Sequence, residues 1–308
     1  MAIGVGLGMA RFPFEHVDNF WAWVELCEAG GIDSLWQTDR LVSDEPFLEC
    51  MSAIAAIAGA TRRVKFGMNV ASVALRDPLV LAKQCATIDF LSNGRLLPAF
   101  GIGTDRAPEW QATGRDTKGR GKRTDEALEI IARLWAGAAV TFNGDYYHYK
   151  NATISPLPRQ QPLPLWVGGS SPAAIARTAR VGTGWQAGLE SPKRAGIAKK
   201  AIVAALKDHG RTIDDDHYGT GFFFRFGTVD DAVCQRELAR FSKLAPDQDL
   251  SHTLAIGAAQ IIERVHQYAE QGISKFILRP LGENDEDIME QTQRLLDQVV
   301  PAVDGVNL

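Results

Sequence analysis

The 308-residue sequence has no apolar run near the roughly 18 residues that a membrane-spanning helix needs. Cysteine is sparse: Cys27, Cys50, Cys85 and Cys234 are widely spaced, and no CxxC pair occurs. The first three lie in apolar stretches of helical appearance. They are expected to be core thiols of a reducing cytoplasm, not a disulfide or metal framework. Histidine is equally thin. His16, His148, His209, His217, His252 and His266 form no HxH or HExxH pair, and none falls at a predicted strand end, so no metal site is expected. GxSxG is missing, which excludes a nucleophile elbow. There is no excess of positive charge either; at a net charge of -4 nothing favours nucleic acid or an anionic membrane surface. No period of about 20–50 residues recurs, so a solenoid is not expected. The opening MAIGVGLGMARF is apolar, carries no basic leader or cleavage site, and reads as a first strand.

What is present is a rhythm. Short apolar runs at 3–8, 32–39, 64–70, 95–103, 165–169, 183–188, 217–227 and 273–280 read as strands. Helix-length amphipathic segments separate most of them, at 18–30, 45–61, 77–94, 124–137, 171–182, 191–210, 230–244 and 257–272, with a last one at 286–300. Asp18 is a candidate cap for the first helix, and Pro78 sits in the first turn of the third. VTFNGDYYHYKNATI (140–154) holds an Asn-Gly pair between β-branched and aromatic residues, a hairpin signal before strand five. Eight strand candidates with this alternation predict one domain over 1–308, a closed (β/α)8 TIM barrel. An open doubly wound sheet is the alternative. It is weakened because GVGLGMARF has glycines at 4, 6 and 8 but no GxGxxG running into a helix. The segments 103–122 and 241–256 are polar enough to be lids.

In a barrel of this kind the active site lies at the C-terminal ends of the strands. There the sequence places Thr38, Asp39 and Arg40, then Asn69, Val70 and Ser72, then Gly103 and Thr104, and later Trp185, Gln186 and Arg279. The strand three segment is odd: FGMNVASV breaks an apolar run with an amide and then small residues. In WVGGSSPAA (166–174) a strand ends in Gly168 and Gly169, followed by Ser170, Ser171 and a helix start at Pro172. Backbone amides with a helix dipole behind them make an anion site, most often for phosphate. A capped helix start, with Ser171 as N-cap, explains the same residues, and both can hold at once. The inventory is poor in conventional acids and bases and rich in glycine and amides. That suits a large flat cofactor with a phosphate tail.

Here the residues resemble a known group. LRDPLVLAKQCATIDFLSNGRL (75–96), the GIG at 101–103, RTDEALEIIARLW (123–135) with FNGDYYHYKNATI (142–154), and PLWVGGSSPAAIARTARVGTGW (164–185) are together similar to the luciferase-like oxidoreductases. These are (β/α)8 barrels that use FMN or the deazaflavin F420, and the resemblance runs over almost the whole chain. It implies a flavin ring in the barrel mouth against a non-prolyl cis peptide, Asn69–Val70, with the phosphate on Gly168, Gly169, Ser170 and Ser171. Asp39 matches a ring-contacting position. Arg40 stands where F420-using members often carry an acid/base His; a guanidinium cannot be a general base near neutral pH, but it can anchor an anion or pair with Asp39. Thr104 stands where some members carry a Glu, and Glu109 lies further along that loop.

The resulting assignment is this. Asp39, Arg40 and Glu109 are the catalytic candidates. Asp39, Asn69, Val70, Ser72, Gly103, Thr104, Gly168, Gly169, Ser170 and Ser171 are the cofactor-binding candidates. Arg40, Trp185 and Arg279 are the substrate-binding candidates. F420 is the expected cofactor and FMN the alternative. The leading expectation is hydride transfer between F420 and a small organic substrate. The others are an FMN-dependent monooxygenase using reduced flavin and oxygen, and a non-catalytic flavin-binding protein. A flavin or F420 reductase is an expected partner, and so is a second copy of the chain, since the family commonly pairs through helices two and three and the apolar stretch around Met51–Ala58 is compatible with this. The expected location is the cytoplasm.

Overall fold

In the computed structural model, which describes residues 2–9, 11–244 and 250–303, the first strand shows how the chain is organised. β1 (Gly4–Met9) turns Val5, Leu7 and Met9 outward into the main core and leaves its glycines on the inner face. Next come β2 (Ser34–Gln37), β3 (Lys65–Met68) with its continuation β4 (Ala71–Ser72), and β5 (Leu96–Leu97) with β6 (Ala99–Gly101). β7 (Val140–Asn143) and β8 (His148–Ala152) form an antiparallel hairpin apart from the main sheet. Then follow β9 (Trp166–Gly168), β10 (Gly184–Gln186), β11 (Tyr218–Arg225), β12 (Leu254–Ile256) and β13 (Lys275–Pro280). Parallel ladders run β13–β1–β2–β3–β5 on one arc and β4–β6–β9–β10–β11–β13 on the other. Because β3 leads into β4 and β5 into β6, the arcs close on each other. The expected (β/α)8 barrel is the observed fold. Sequence patterning missed β12, which pairs with β11 off this ring.

The barrel interior is filled by pairing tryptophan with glycine. Trp36 and Trp166 point inward and meet edge to face, with ring centroids 6.1 Å apart. Their bulk is accommodated because the strands facing them carry no side chain. A Cβ on Gly184 would stand 2.5 Å from the Trp166 ring, and one on Gly67 would stand 2.9 Å from the Trp36 ring and collide with the Leu97 carbonyl. Leu97, Ala99 and Ile277 complete this plug. Burying each indole contributes on the order of 4 kcal/mol.

The helices cover the outside. α1 (Val17–Ala29) is capped by His16, not by Asp18; the Asp285 carboxylate accepts from the amides of Glu15 and His16 just before it. α2 (Cys50–Ala60) starts later than its apolar pattern implied, because Glu49 accepts from Ser52 N and fixes the first turn. Met51, Ile54, Ile57 and Ala58 are spent on the chain's own core. α3 (Pro78–Leu91) is capped by Asp77, which accepts from Leu79 N and Val80 N. The segment 103–122 is not an open lid. It holds α4 (Glu109–Ala112) and the start of α5 (Arg120–Trp135), and Trp110 is buried in it. α6 (Pro172–Val181), α7 (Pro192–Asp208), α8 (Ala232–Leu244), α9 (Gly257–Ala269) and α10 (Asp285–Gln298) continue the layer. Of the second expected lid, 241–256, residues 245–249 lie outside the described residues, and the rest ends α8, makes a turn and enters β12. All four cysteines are buried and unpaired, as expected. Among the described residues no helix is long and apolar enough to cross a membrane.

Candidate functional site

The mouth of the barrel is shaped by the break between β3 and β4. The Asn69–Val70 peptide is cis, at the expected bond. Asn69 N still donates to Gln37 O at 2.9 Å, so β2 holds the break in place. Val70 packs against the tryptophan plug and over two glycines: its Cγ2 lies 2.8 Å from where a Gly101 Cβ would stand and 3.2 Å from that of Gly168. The result is a small apolar floor. Beside it, Asn69 Nδ2 and Gln186 Oε1 are buried without a hydrogen-bond partner. A buried amide group left unpaired costs about 1–3 kcal/mol, so these atoms call for a polar ligand or water.

Asp39 does not turn toward this floor. Arg76 donates to both of its oxygens at 2.7 Å, Ser72 N donates at 3.0 Å and the Cys50 thiol at 3.3 Å. With 2% of its side chain exposed, Asp39 is spoken for and fastens the end of β2 to the turn after β3. Burial works against the charge of Arg76, but Asp39 and Glu49 outweigh it and hold the guanidinium above its ordinary range. Burial, reinforced by Asp39, pushes the Cys50 thiol well up. A pairing of Asp39 with Arg40 is not formed. Adjacent residues at a strand end project to opposite sides, and Arg40 instead reaches Glu109 at 3.4 Å.

Arg40, Thr38 and Asn69 line a cavity of about 540 Å³ together with Phe223, Arg240 and Arg279. That volume lies in the range of small-molecule sites. Glu109 lies buried on α4 behind Arg40: one oxygen accepts from Arg40, while Oε2 has no partner. Arg279 stacks over the Phe223 ring at 5.2 Å. Its desolvated setting, with Arg240 nearby, lowers its pKa to about 10. Trp185, expected in the mouth, is corrected by the structure. It sits on the outer face of β10, fully buried, and donates its indole N–H to Gly169 O at 2.8 Å. The period-two alternation puts Gly184 and Gln186 inside and Trp185 outside. Thr104 is exposed; its carbonyl accepts from Trp110 Nε1 at 2.7 Å. Gly103 has φ +69°, and a Cβ there would meet Ser72 Oγ at 2.9 Å.

The second half of the site lies at the start of α6. Gly169 has φ +102°, a conformation that glycine adopts freely, and its N–H donates to Gln186 O at 3.1 Å. Ser171 caps the helix by accepting from Ala174 N at 3.2 Å, and Pro172 opens it. Ser170 Oγ is buried without a partner and faces a cavity of about 410 Å³ that Glu190 and Arg194 also line. Leu189 borders both cavities. The expected capped helix start is present, with Ser171 as N-cap. Sequence reasoning missed Arg76 and Arg240. The first is visible only as part of LRDP, and the second lies on a helix with no signal of its own.

A family model described as luciferase-like monooxygenase matches residues 3–275. An uncharacterized protein of Mycobacterium tuberculosis is 35% identical over 174 residues, 56% of this chain and 59% of that protein. An F420-dependent glucose-6-phosphate dehydrogenase of Kineococcus radiotolerans is 31% identical over 189 residues, 59% of this chain and 55% of that protein. The matches thus span little more than half the length of these relatives. Among solved structures, a monooxygenase of Streptomyces bottropensis superposes with a TM-score of 0.83 at 18% identity, covering 97% of this chain and 99% of that one. An F420-dependent secondary alcohol dehydrogenase bound to an F420-acetone adduct gives 0.82 at 18% identity, covering 98% and 99%. The oxygenating constituent of a Pseudomonas putida 3,6-diketocamphane monooxygenase with FMN gives 0.77 at 16% identity, covering 98% and 99%. At such identities the superpositions show a shared fold.

Proposed function

The chain belongs to the luciferase-like monooxygenase family, and on that premise we propose that it is an oxidoreductase that moves a hydride between coenzyme F420 and a small organic substrate. The observation that carries this is the floor made by Val70 over Gly101 and Gly168, with the unpartnered Asn69 amide beside it. The residues present fit a flat ring with a phosphate tail. Asn69 Nδ2 would donate to the ring edge, and the Gly168–Ser171 backbone with Ser170 Oγ would hold the phosphate. F420 is favoured over FMN because relatives 31–34% identical to this chain include F420-dependent glucose-6-phosphate dehydrogenases. When bound, the deazaflavin supplies or accepts the hydride.

The chain's own residues do the rest. The tryptophan plug closes the barrel beneath the ring and keeps water from entering from below. Arg40 orients substrate at the rim through its planar guanidinium. Glu109 would take or give the accompanying proton; its unpartnered Oε2 on α4 beside Arg40 supports this. Asp39 acts through Ser72 and Arg76 to keep the Asn69–Val70 turn in position. A homodimer that uses the exposed Val80, Phe90 and Leu91 of α3, and a separate reductase that recycles the cofactor, belong to the same reading.

The test is a calorimetric titration with F420, FMN and reduced FMN, followed by oxygen-electrode and absorbance assays. F420 binding without oxygen consumption is expected. Binding of reduced FMN alone, with oxygen uptake, would replace this reading with a monooxygenase. Tight cofactor binding without turnover on a panel of alcohols, aldehydes and acids would leave a binding protein.

A further inference from the structure

Two of the three arginines that line the mouth are ion-paired among the described residues. Arg40 is paired with Glu109, and Arg240 is paired with Glu237. On the rim, Glu45 is taken by Arg11 at 2.8 Å. Arg279 is left over. It has a ring partner, Phe223, but among the described residues its guanidinium makes no hydrogen bond and no ion pair. Asp44, the other acid of the rim, makes no ion pair with it among the described residues. Its five N–H donors, in a half-buried setting, thus line the cavity without a hydrogen-bond partner among the described residues. The guanidinium carbon lies 5.2 Å from the Phe223 ring centroid, a contact that does not use the N–H donors with which arginine grips a planar oxyanion through two parallel bonds. Phe47, Phe223 and Phe241 supply apolar wall around it.

We propose that the substrate of this mouth carries an oxyanion, a carboxylate or phosphate on an apolar or aromatic body, and that Arg279 is its anchor, with Arg240 and Arg40 adding field from either side. The ligand's oxyanion would supply the ion-pair partner that Arg279 lacks among the described residues. The lowered pKa of Arg279, due to its desolvation and to Arg240, describes the same deficit. Two sources share this chemistry: a substrate, or the cofactor's own phosphate. The separate loop at Gly168–Ser171 favours substrate, since the phosphate has a site of its own there. This deepens the F420 reading and rests on it for the word substrate, but not for the existence of the anion site.

The experiment uses the full chain, with and without saturating F420, titrated with benzoate, phenylphosphate and the neutral benzamide. Benzoate or phenylphosphate is expected to bind saturably and at least about tenfold more tightly than benzamide, in the F420-loaded protein as well. Arg279→Met is expected to erase that preference and Arg279→Lys to keep part of it, with thermal unfolding confirming that both variants fold. Arg240→Met is expected to weaken anion binding less than Arg279→Met does. Equal affinity for benzamide, unchanged anion affinity in a folded Arg279→Met, or no anion binding at all would overturn the proposal. Competition between F420 and the anions would also overturn it, by assigning Arg279 to the cofactor phosphate. If the anions bind through Arg279 while F420 does not bind, the F420 reading fails and the anion site stands.

Discussion

Arg76 meets Asp39 head-on: one guanidinium nitrogen lies 2.7 Å from Oδ2 and another 2.7 Å from Oδ1. The pair ties the end of β2 to the turn that follows β4. It does so where a shift of Ser72 would move the cis peptide three residues earlier in the chain. Removing one partner of such a buried pair leaves a charge without compensation, which costs about 3–5 kcal/mol. Asp39→Asn should therefore lower stability by about that amount in urea unfolding and loosen cofactor binding with it. The double variant Asp39→Leu with Arg76→Met should lose less than Asp39→Asn and Arg76→Met added together.

Gly101 and Gly59 should respond to alanine in opposite ways. A Cβ at Gly101 stands 2.8 Å from Val70 Cγ2, so Gly101→Ala must lift the floor of the mouth. It should cost about 1–3 kcal/mol by overpacking and weaken F420 binding further than stability. Gly59 lies exposed in α2 with nothing within 4 Å of an added Cβ. Gly59→Ala should raise stability by about 0.5–1 kcal/mol. Thermal melts and cofactor titrations on the two variants read both effects.

Glu28 accepts from the amides of Arg62, Arg63 and Val64 at 2.7, 2.7 and 2.8 Å. Burial pushes its carboxyl up, but these three amides and the Arg63 charge outweigh it and hold its pKa below the ordinary value. A depressed carboxylate contributes stability that is fully present above the unfolded pKa, near 4.3, and is lost as pH falls through the lower folded value. Glu28→Gln should thus destabilise at pH 7 and lose its difference from the parent chain below about pH 4. Urea unfolding at a series of pH values measures this.

Glu109→Gln keeps the size of the side chain and its contact with Arg40 but removes proton transfer at Oε2. It should lower the single-turnover rate by about 10²-fold with F420 affinity unchanged. An unchanged rate would exclude Glu109 as the proton carrier.

The barrel was legible because each strand is short, apolar and followed by an amphipathic helix, and because alternation marks which residues face the helices. The capped start of α6 was legible for a local reason: Ser171 and Pro172 act within one turn, directly after Gly169 at positive φ. The Asn69–Val70 cis bond was placed by the resemblance to luciferase-like oxidoreductases, while the local pattern showed only a polar residue ending an apolar run. Trp185 was misplaced because a one-residue difference in strand parity decides between mouth and core, and strand boundaries read from sequence are uncertain by more than that.

Charge pairing was out of reach in principle. From its neighbours in the chain, Asp39 belongs with Arg40; in the fold, 37 residues of separation vanish and Arg76 takes it. Arg40 is released to Glu109, 69 residues away. The sequence by itself determined the barrel, the capped start of α6 and the break at the end of β3, since hydrophobic period, backbone preference and capping act over a few residues. Only the tertiary structure decided which acid meets which base, and so left Arg279 without an ion pair among the described residues, because ion pairing depends on distances that chain order does not set.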